Sequence, residues 1–353
     1  MRTIAAALLV ISAVTIAALV LALPGRAATF AVDSRADAPD AAPGDGVCTT
    51  TAAECTLRAA VEETNALTGG DAITLGAVTH RLKSTLEIDD DLTITGAGVD
   101  SLITFLGNPG LAAIQVSGPA SVTMSDLRVS RVGLINAGGS LTLDHVTVAK
   151  SRSFFGGVRN DGGTLVLNDV AVVRTRSTGV GNINGGTATL TNVLLARNRG
   201  DGLFNRSTAM LTNVTIARNN RGAVTNVDPA TVTLSNVTVT RNGYGFEGGG
   251  PLTLRNTLVV QKQCCRDPVL SLGHNLESGS TCGLSGPGDL SNIDPLIKAS
   301  LRDNGGFTET LALLPGSPAI DGGDNTGCPA TDQRGVARPQ GTACDIGAYE
   351  FQP

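Results

Sequence analysis

The sequence predicts an all-β chain wound as a right-handed parallel β-helix, with a short N-terminal capping helix and an irregular, disulfide-containing C-terminal cap. Three observations predict it. The first is a phrase that recurs along the chain: an alternating apolar run, a polar residue, a second apolar run, then a basic residue. VTMSDLRVSR (Val122–Arg131), LVLNDVAVVR (Leu165–Arg174), ATLTNVLLAR (Ala188–Arg197) and AMLTNVTIAR (Ala209–Arg218) are examples. The central polar residue falls at Asp126, His145, Asp169, Asn192, Asn213, Asn236 and Asn256, 19–24 residues apart. A period of this length marks stacked repeats. The second observation is compositional. With 44 Gly, no Trp and only 16% charged residues, but periodic Val, Leu, Ile and Thr, the chain reads as many short strands joined by Gly-rich and Asn-rich turns rather than as disorder. The third is spacing. Each repeat splits into three strand-sized pieces separated by only a few residues, which suits one continuous coil. Each strand then pairs in parallel with its equivalent one coil later, about 4.8 Å away.

The elements follow in order. Residues 1–28 read as an export signal: Arg2, an uncharged run from Ile4 to Leu23, then Pro24-Gly25-Arg26-Ala27-Ala28 with small residues suited to cleavage. The run is also long enough to stay as an uncleaved membrane anchor. Either outcome places the remainder outside the cytoplasm, secreted or at the cell surface, with membrane contact only through this segment. Residues 29–72 form the front cap. Its first part, 29–54, reads as loop, and Cys55–Leu67 reads as an amphipathic helix able to cover the first coil. Residues 73–262 hold the coils, beginning with strand-like Ile73–Leu75, Leu92–Thr95 and Leu102–Phe105. Alternation sends Leu143, Leu167, Leu190, Leu211 and Leu234 inward and Thr212 and Thr215 outward. The central Asn and Asp residues suit sharp corners, because they tolerate a left-handed backbone, and their amides can bond up the column. Residues 263–353 lose the period and are read as a cover for the last coil, hiding open strand edges. The seven cysteines lie only towards the ends. In an oxidising compartment they read as disulfides: Cys48 with Cys55, Cys328 with Cys344, and Cys282 with either Cys264 or Cys265.

The end segments carry a family resemblance. GDGVCTTTAAECTLRAAVEETNA (Gly44–Ala66) resembles the CSLREA motif at the front of secreted and surface β-helix proteins; Cys55, Leu57, Arg58 and Asn65 match, while Ala59 stands where Glu is usual. DPLIKASLRDNGGFTETLALLPGSPAIDGGD (Asp294–Asp324) and DQRGVARPQGTACDIGAYEF (Asp332–Phe351) resemble the choice-of-anchor Q domain. The resemblance implies an exported or surface-associated scaffold and says little about activity. Proteins of this kind often carry an anchor after the tail domain, whereas Pro353 follows Phe351 by two residues.

The fold also serves polysaccharide lyases and glycosidases, which makes an enzyme the alternative reading. A lyase needs clustered carboxylates for a cation and a base near the sugar. One outward column, Ser125, Asp144, Asn168, Thr191, Thr212, Ser235 and Arg255, holds a single carboxylate, and the next holds none. No catalytic residue, metal ligand or cofactor is assigned on this evidence. Asp321-Gly-Gly-Asp324-Asn325 reads as turn chemistry. Asp332, Arg334, Arg338, Asp345 and Glu350 read as structural ion pairs in a cap, and His145 as a corner residue. One column stands out. Five residues after each corner come Arg131, Lys150, Arg174, Arg197, Arg218 and Arg241, a slot that is commonly Gly in the resembling families. Stacked at about 4.8 Å, neighbouring cations repel by about 1 kcal/mol even in water. The column reads either as solvated Arg splayed apart or bonded to corner carbonyls, or as an anion-binding stripe for an acidic glycan or other surface polyanion. The net charge of −5 argues against nucleic acid, and the chain is read as a monomer.

Overall fold

Strands one coil apart pair in parallel from Thr29 to Ser291, as the period requires. The computed structural model describes residues 27–106, 113–261 and 263–353. The expected export segment lies outside the described residues, apart from Ala27 and Ala28. Among the described residues no helix is long and apolar enough to cross a membrane. A representative coil has three pieces, Thr187–Thr191, Leu194–Ala196 and Leu203–Asn205, and the next repeats them as Thr208–Thr212, Thr215–Ala217 and Gly222–Asn226. The third pieces stack into a separate eight-stranded sheet, one strand per coil. The product is a parallel β-helix of about eight turns.

Register follows from burial. Leu143, Leu167, Leu190, Leu211 and Leu234 lie directly above one another and are fully buried. Each such side chain removed from water contributes about 1.5–3 kcal/mol. A one-residue slip would turn every one of them outward, so the apolar alternation alone determines the stacking.

Both kinds of corner have left-handed backbone. The Asp/His/Asn column from Asp126 to Asn256 has φ of 47–58°, and the basic column from Arg131 to Arg241 has φ of 55–65°. The first was anticipated; the second was not. Asn213 Nδ2 donates to Asn192 Oδ1 at 3.2 Å, and Asn256 Nδ2 to Asn236 Oδ1 at 3.4 Å, as the corner ladder predicts. A tighter ladder runs inside the third wall, through Asn136, Asn160, Asn182, Asn205 and Asn226. Each Nδ2 donates to the next Oδ1 at 2.8 Å. These asparagines are buried, and the ladder satisfies their amides without water except at its first rung, where Asn136 Oδ1 has no partner.

The front cap forms as expected. The helix Leu57–Ala66 starts at Thr56, whose Oγ1 accepts the Ala59 N–H at 3.0 Å, and it buries Leu57, Ala60 and Val61 against Ile73, Leu86 and Ile88. Buried Glu63 accepts the Gly44 and Gly46 N–H groups and so ties down the preceding segment. Three expectations need correction. Thr29–Val32 is a strand on Asp71–Leu75 rather than loop, because Phe30 and Val32 alternate into the core. Parallel pairing continues past residue 262, through Leu276–Glu277 to Leu290–Ser291. Most of the tail from Pro295 onward lies along the side of the coils rather than over their end. The outward column Ala171, Leu194, Thr215, Thr238 and Leu258 is fully covered. Leu301 and Leu311 pack on its Ala171 and Leu194, and Leu313, Ala319 and Ile346 on its Leu258. Thr215 does point outward, but its Oγ1 donates to Gln333 Oε1 at 2.6 Å and is buried there.

The disulfides are Cys48–Cys55, Cys265–Cys282 and Cys328–Cys344. Cys264 is the free thiol, buried, and burial pushes its pKa up. Peptide mapping without reduction should recover these three pairs. Cys264 should be alkylated only after unfolding; ready alkylation of the native protein would contradict its burial.

Candidate cationic cleft

The basic corners are assembled by the same geometry that turns the chain. At Lys150, Arg174 and Arg197 the backbone N–H bonds to the carbonyl of the following coil, Val173, Ala196 and Ala217 respectively. The next residue, Ser151, Thr175 or Asn198, points inward and is buried. Ser151 Oγ donates to Gly156 O at 2.7 Å, and the Thr175 N–H donates to Asn198 Oδ1 at 2.9 Å. The residue after that points out again, and in these three coils it is Arg152, Arg176 and Arg199. Two rows of three cations therefore flank one cleft of about 530 Å³. Among the described residues lining it there is no carboxylate. The second row was missed at the sequence level, although the signal is legible as KSR, RTR and RNR at 150–152, 174–176 and 197–199.

The six residues of the expected stripe do not share one environment. Arg131, Lys150 and Arg174 are exposed. Arg197 Nη1 meets Glu309 Oε2 at 2.6 Å. Arg218 Nη2 donates to Ala299 O at 3.1 Å, and Arg241 donates to the same carbonyl. The tail thus occupies the far half of the column from Arg197 on, and the cleft extends from the half it leaves open up to Arg197, which Glu309 already pairs.

Carboxylates come together elsewhere. Asp144 on one coil and Asp169 on the next flank His145, all with ligand atoms within 4.8 Å of one another. His145 Nδ1 lies 3.1 Å from Asp144 Oδ1, and Phe307 of the tail stands edge-on to the imidazole at 5.3 Å. Burial pushes the Asp169 carboxyl above its usual range, against the pull of His145. Reading the outward and corner columns separately hid this pair, because Asp144 belongs to one and Asp169 to the other. The three side chains offer the donor set of a divalent-cation seat.

The tail constellation is structural. Arg338, fully buried, donates to Asp345 O at 2.9 Å and Gly347 O at 2.8 Å and faces Glu350 at 3.5 Å. Arg334 pairs with buried Asp332 at 2.6 Å. Asp324 accepts the Thr326 N–H two residues on, as turn chemistry requires, whereas Asp321 accepts the N–H of distant Ala343 and so ties two tail segments together. Burial of Asp345 raises its pKa to about 6.

No family model matches the sequence, and no curated protein is similar to it. Among the solved structures that match are the following two. Pectate lyase Pel9A superposes with a TM-score of 0.53 at 15% identity, over 93% of this chain and 97% of that one. The A-module of the Azotobacter vinelandii mannuronan C-5 epimerase AlgE4 reaches a TM-score of 0.43 at 17% identity, over 72% of this chain and 84% of that one. The first likeness establishes the parallel β-helix.

Proposed function

We propose that the protein is an exported or surface-associated β-helix scaffold that binds an acidic polymer, an anionic glycan, in the cationic cleft. One observation carries the reading. Left-handed corners favour Gly or Asn, and an Arg or Lys there costs about 1–2 kcal/mol of backbone strain. Coils nonetheless place a cation at this corner six times, from Arg131 to Arg241, and three of them add a second cation two residues on. Backbone conformation does not account for that choice; contacts with the tail account for Arg197, Arg218 and Arg241, and attraction for anions is the reading for the open Arg131, Lys150 and Arg174. Three disulfides fit an oxidising compartment. The likeness of the end segments to the CSLREA motif and the choice-of-anchor Q domain agrees with a surface role, and the fold neighbour Pel9A is named for action on a polysaccharide.

The test is a glycan array followed by titration against salt. Binding of acidic glycans should weaken steeply as ionic strength rises, since exposed charges are screened beyond about 8 Å at physiological salt. Replacing Arg152, Arg174 and Arg176 together by Gln should weaken it roughly 10- to 100-fold, at about 0.5–1 kcal/mol per exposed contact. Undiminished binding by this variant would remove the reading.

The alternative, a polysaccharide lyase or glycoside hydrolase, is favoured by Asp144, His145 and Asp169. It requires calcium-dependent release of unsaturated sugars, or of reducing ends, abolished by Asp144→Asn with Asp169→Asn. Absence of both products from a panel of acidic and neutral polysaccharides would leave the scaffold.

A further inference from the structure

We infer that the surface adjoining the cationic cleft is a ring-stacking subsite, which makes the ligand a polysaccharide of anionic pyranose rings rather than a simple polyanion. The inference rests on the cleft being a polyanion seat.

The chain has no Trp, two Tyr and eight Phe. Phe154 and Phe155 are 64% and 39% exposed, and with half-buried Phe204 they surround one slot of about 210 Å³. Adjacent exposed phenyls are not the residue of incomplete burial here. Their loop is held from beneath by Ser151 and Ser153: the Ser153 N–H donates to Ser151 Oγ at 3.3 Å and the Phe155 N–H to Ser153 Oγ at 3.2 Å. The fold fixes the loop without using the rings, and an exposed apolar cluster on a fixed support marks a contact surface.

The slot has a floor made by absence. Arg159, Gly181 and Phe204 follow one another in the outward column of the third wall. A Cβ at Gly181 would meet nothing within 4 Å. Arg159 and Phe204 therefore leave the column two coil spacings apart, about 9.6 Å at the backbone, with no side chain on the strand position between them. That gap admits a six-membered ring in van der Waals contact on both sides.

Charge lies at each phenyl. The guanidinium of Arg159 is 4.9 Å from the Phe155 ring centre, that of Arg176 5.9 Å from Phe154, and that of Arg206 5.5 Å from Phe204. Arg176 lines the cationic cleft and lies beside Phe154, which lines the slot, so the two adjoin across this pair. A ligand that fits both must alternate an anionic substituent with a ring that has an apolar face. An acidic polysaccharide does so: the carboxylate or sulfate meets Arg176 while the C–H face of the ring lies on Phe154. Single-stranded nucleic acid combines charge and rings as well. The net charge of −5 and the disulfides favour the glycan.

The experiment titrates the parent and three variants with heparin, a sulfated and carboxylated polysaccharide, with inorganic polyphosphate, which has charge and no rings, and with oligo-dT. Phe154→Ala with Phe155→Ala should lower heparin affinity about 10-fold and leave polyphosphate within 2-fold. Gly181→Leu, which fills the slot from a strand position with open space above it, should do the same. The triple Gln variant at Arg152, Arg174 and Arg176 should lower both. Circular dichroism should show the parent spectrum in every variant. Unchanged heparin binding in the Phe and Gly181 variants would overturn the subsite while leaving the cleft standing. An equal fall for polyphosphate would overturn it too, since the rings would then act only on cleft shape. Oligo-dT bound more tightly than heparin, and lost in the Phe variant, would replace the glycan by nucleic acid. Parent protein that binds none of the three would overturn the cleft itself.

Discussion

Asn182→Ala is expected to destabilise the solenoid by about 3–5 kcal/mol. Asn182 is fully buried in the third wall. Its Nδ2 lies within hydrogen-bonding distance of Asn205 Oδ1 at 2.8 Å, Thr208 O at 2.9 Å and Gly186 O at 3.1 Å, while its Oδ1 accepts from Asn160 at 2.8 Å. Alanine removes all of these at once, and each buried polar group left without a partner costs about 1–3 kcal/mol. The neighbours cannot shift to compensate, because register holds every coil to the next. Thr189→Ala, at an exposed outward position of the same coil, should cost less than about 1 kcal/mol. Urea denaturation compares the two directly. Stability in a solenoid is a sum over coils and their interfaces, so hydrogen exchange should also rise first in the coils flanking residue 182. A loss below 1 kcal/mol for Asn182→Ala would show that the ladder is dispensable.

Glu350→Ala should release the tail from the solenoid. Glu350 is buried, accepts the Gln340 and Asp345 N–H groups at 2.8 and 2.9 Å, and faces the buried guanidinium of Arg338. Removing the carboxylate leaves Arg338 buried without its ion-pair partner, a loss of about 3–5 kcal/mol. The damage should be local. Limited proteolysis should cut within residues 295–353 while the circular dichroism of the β-helix persists, and Thr215 and Thr238 should lose their cover. Acidity should act on the same segment through Asp345. Its folded pKa of about 6 exceeds its unfolded value of 3.8 because burial disfavours the charge. Its contribution is therefore full below pH 3.8 and lost as pH rises through 6. Between pH 7 and pH 5 this one group should strengthen the tail, and Asp345→Asn should flatten that part of the profile. Proteolysis indistinguishable from the parent in Glu350→Ala would refute the buried-charge account.

Much of the architecture was legible because solenoid stacking is a local rule repeated. The apolar alternation at Leu143, Leu167, Leu190, Leu211 and Leu234 specifies face and register together, and the spacing of Asp126 to Asn256 specifies the coil length. The short strand Thr29–Val32 escaped notice because it lies before the period begins. Arg152, Arg176 and Arg199 escaped for a different reason. They fall just past the repeated phrase, and only the inward anchoring of Ser151, Thr175 and Asn198 shows that the residues on either side must both point out. Leu194 and Leu258 stand on an outward column because the tail covers them.

The sequence by itself determined the coil, its interior, the Asp/His/Asn corners and the pairing of four of its cysteines, since each depends on local residues and their spacing. Only the tertiary structure decided which cations remain open to a ligand. Arg174 and Arg197 are equivalent in every local respect, yet one is exposed and the other meets Glu309, 112 residues further along. The same holds for Asp144 and Asp169, and for Phe154 and Phe204. Their proximity arises from stacking one coil on another and folding an aperiodic tail along the side, and no period in the sequence encodes where that tail stops.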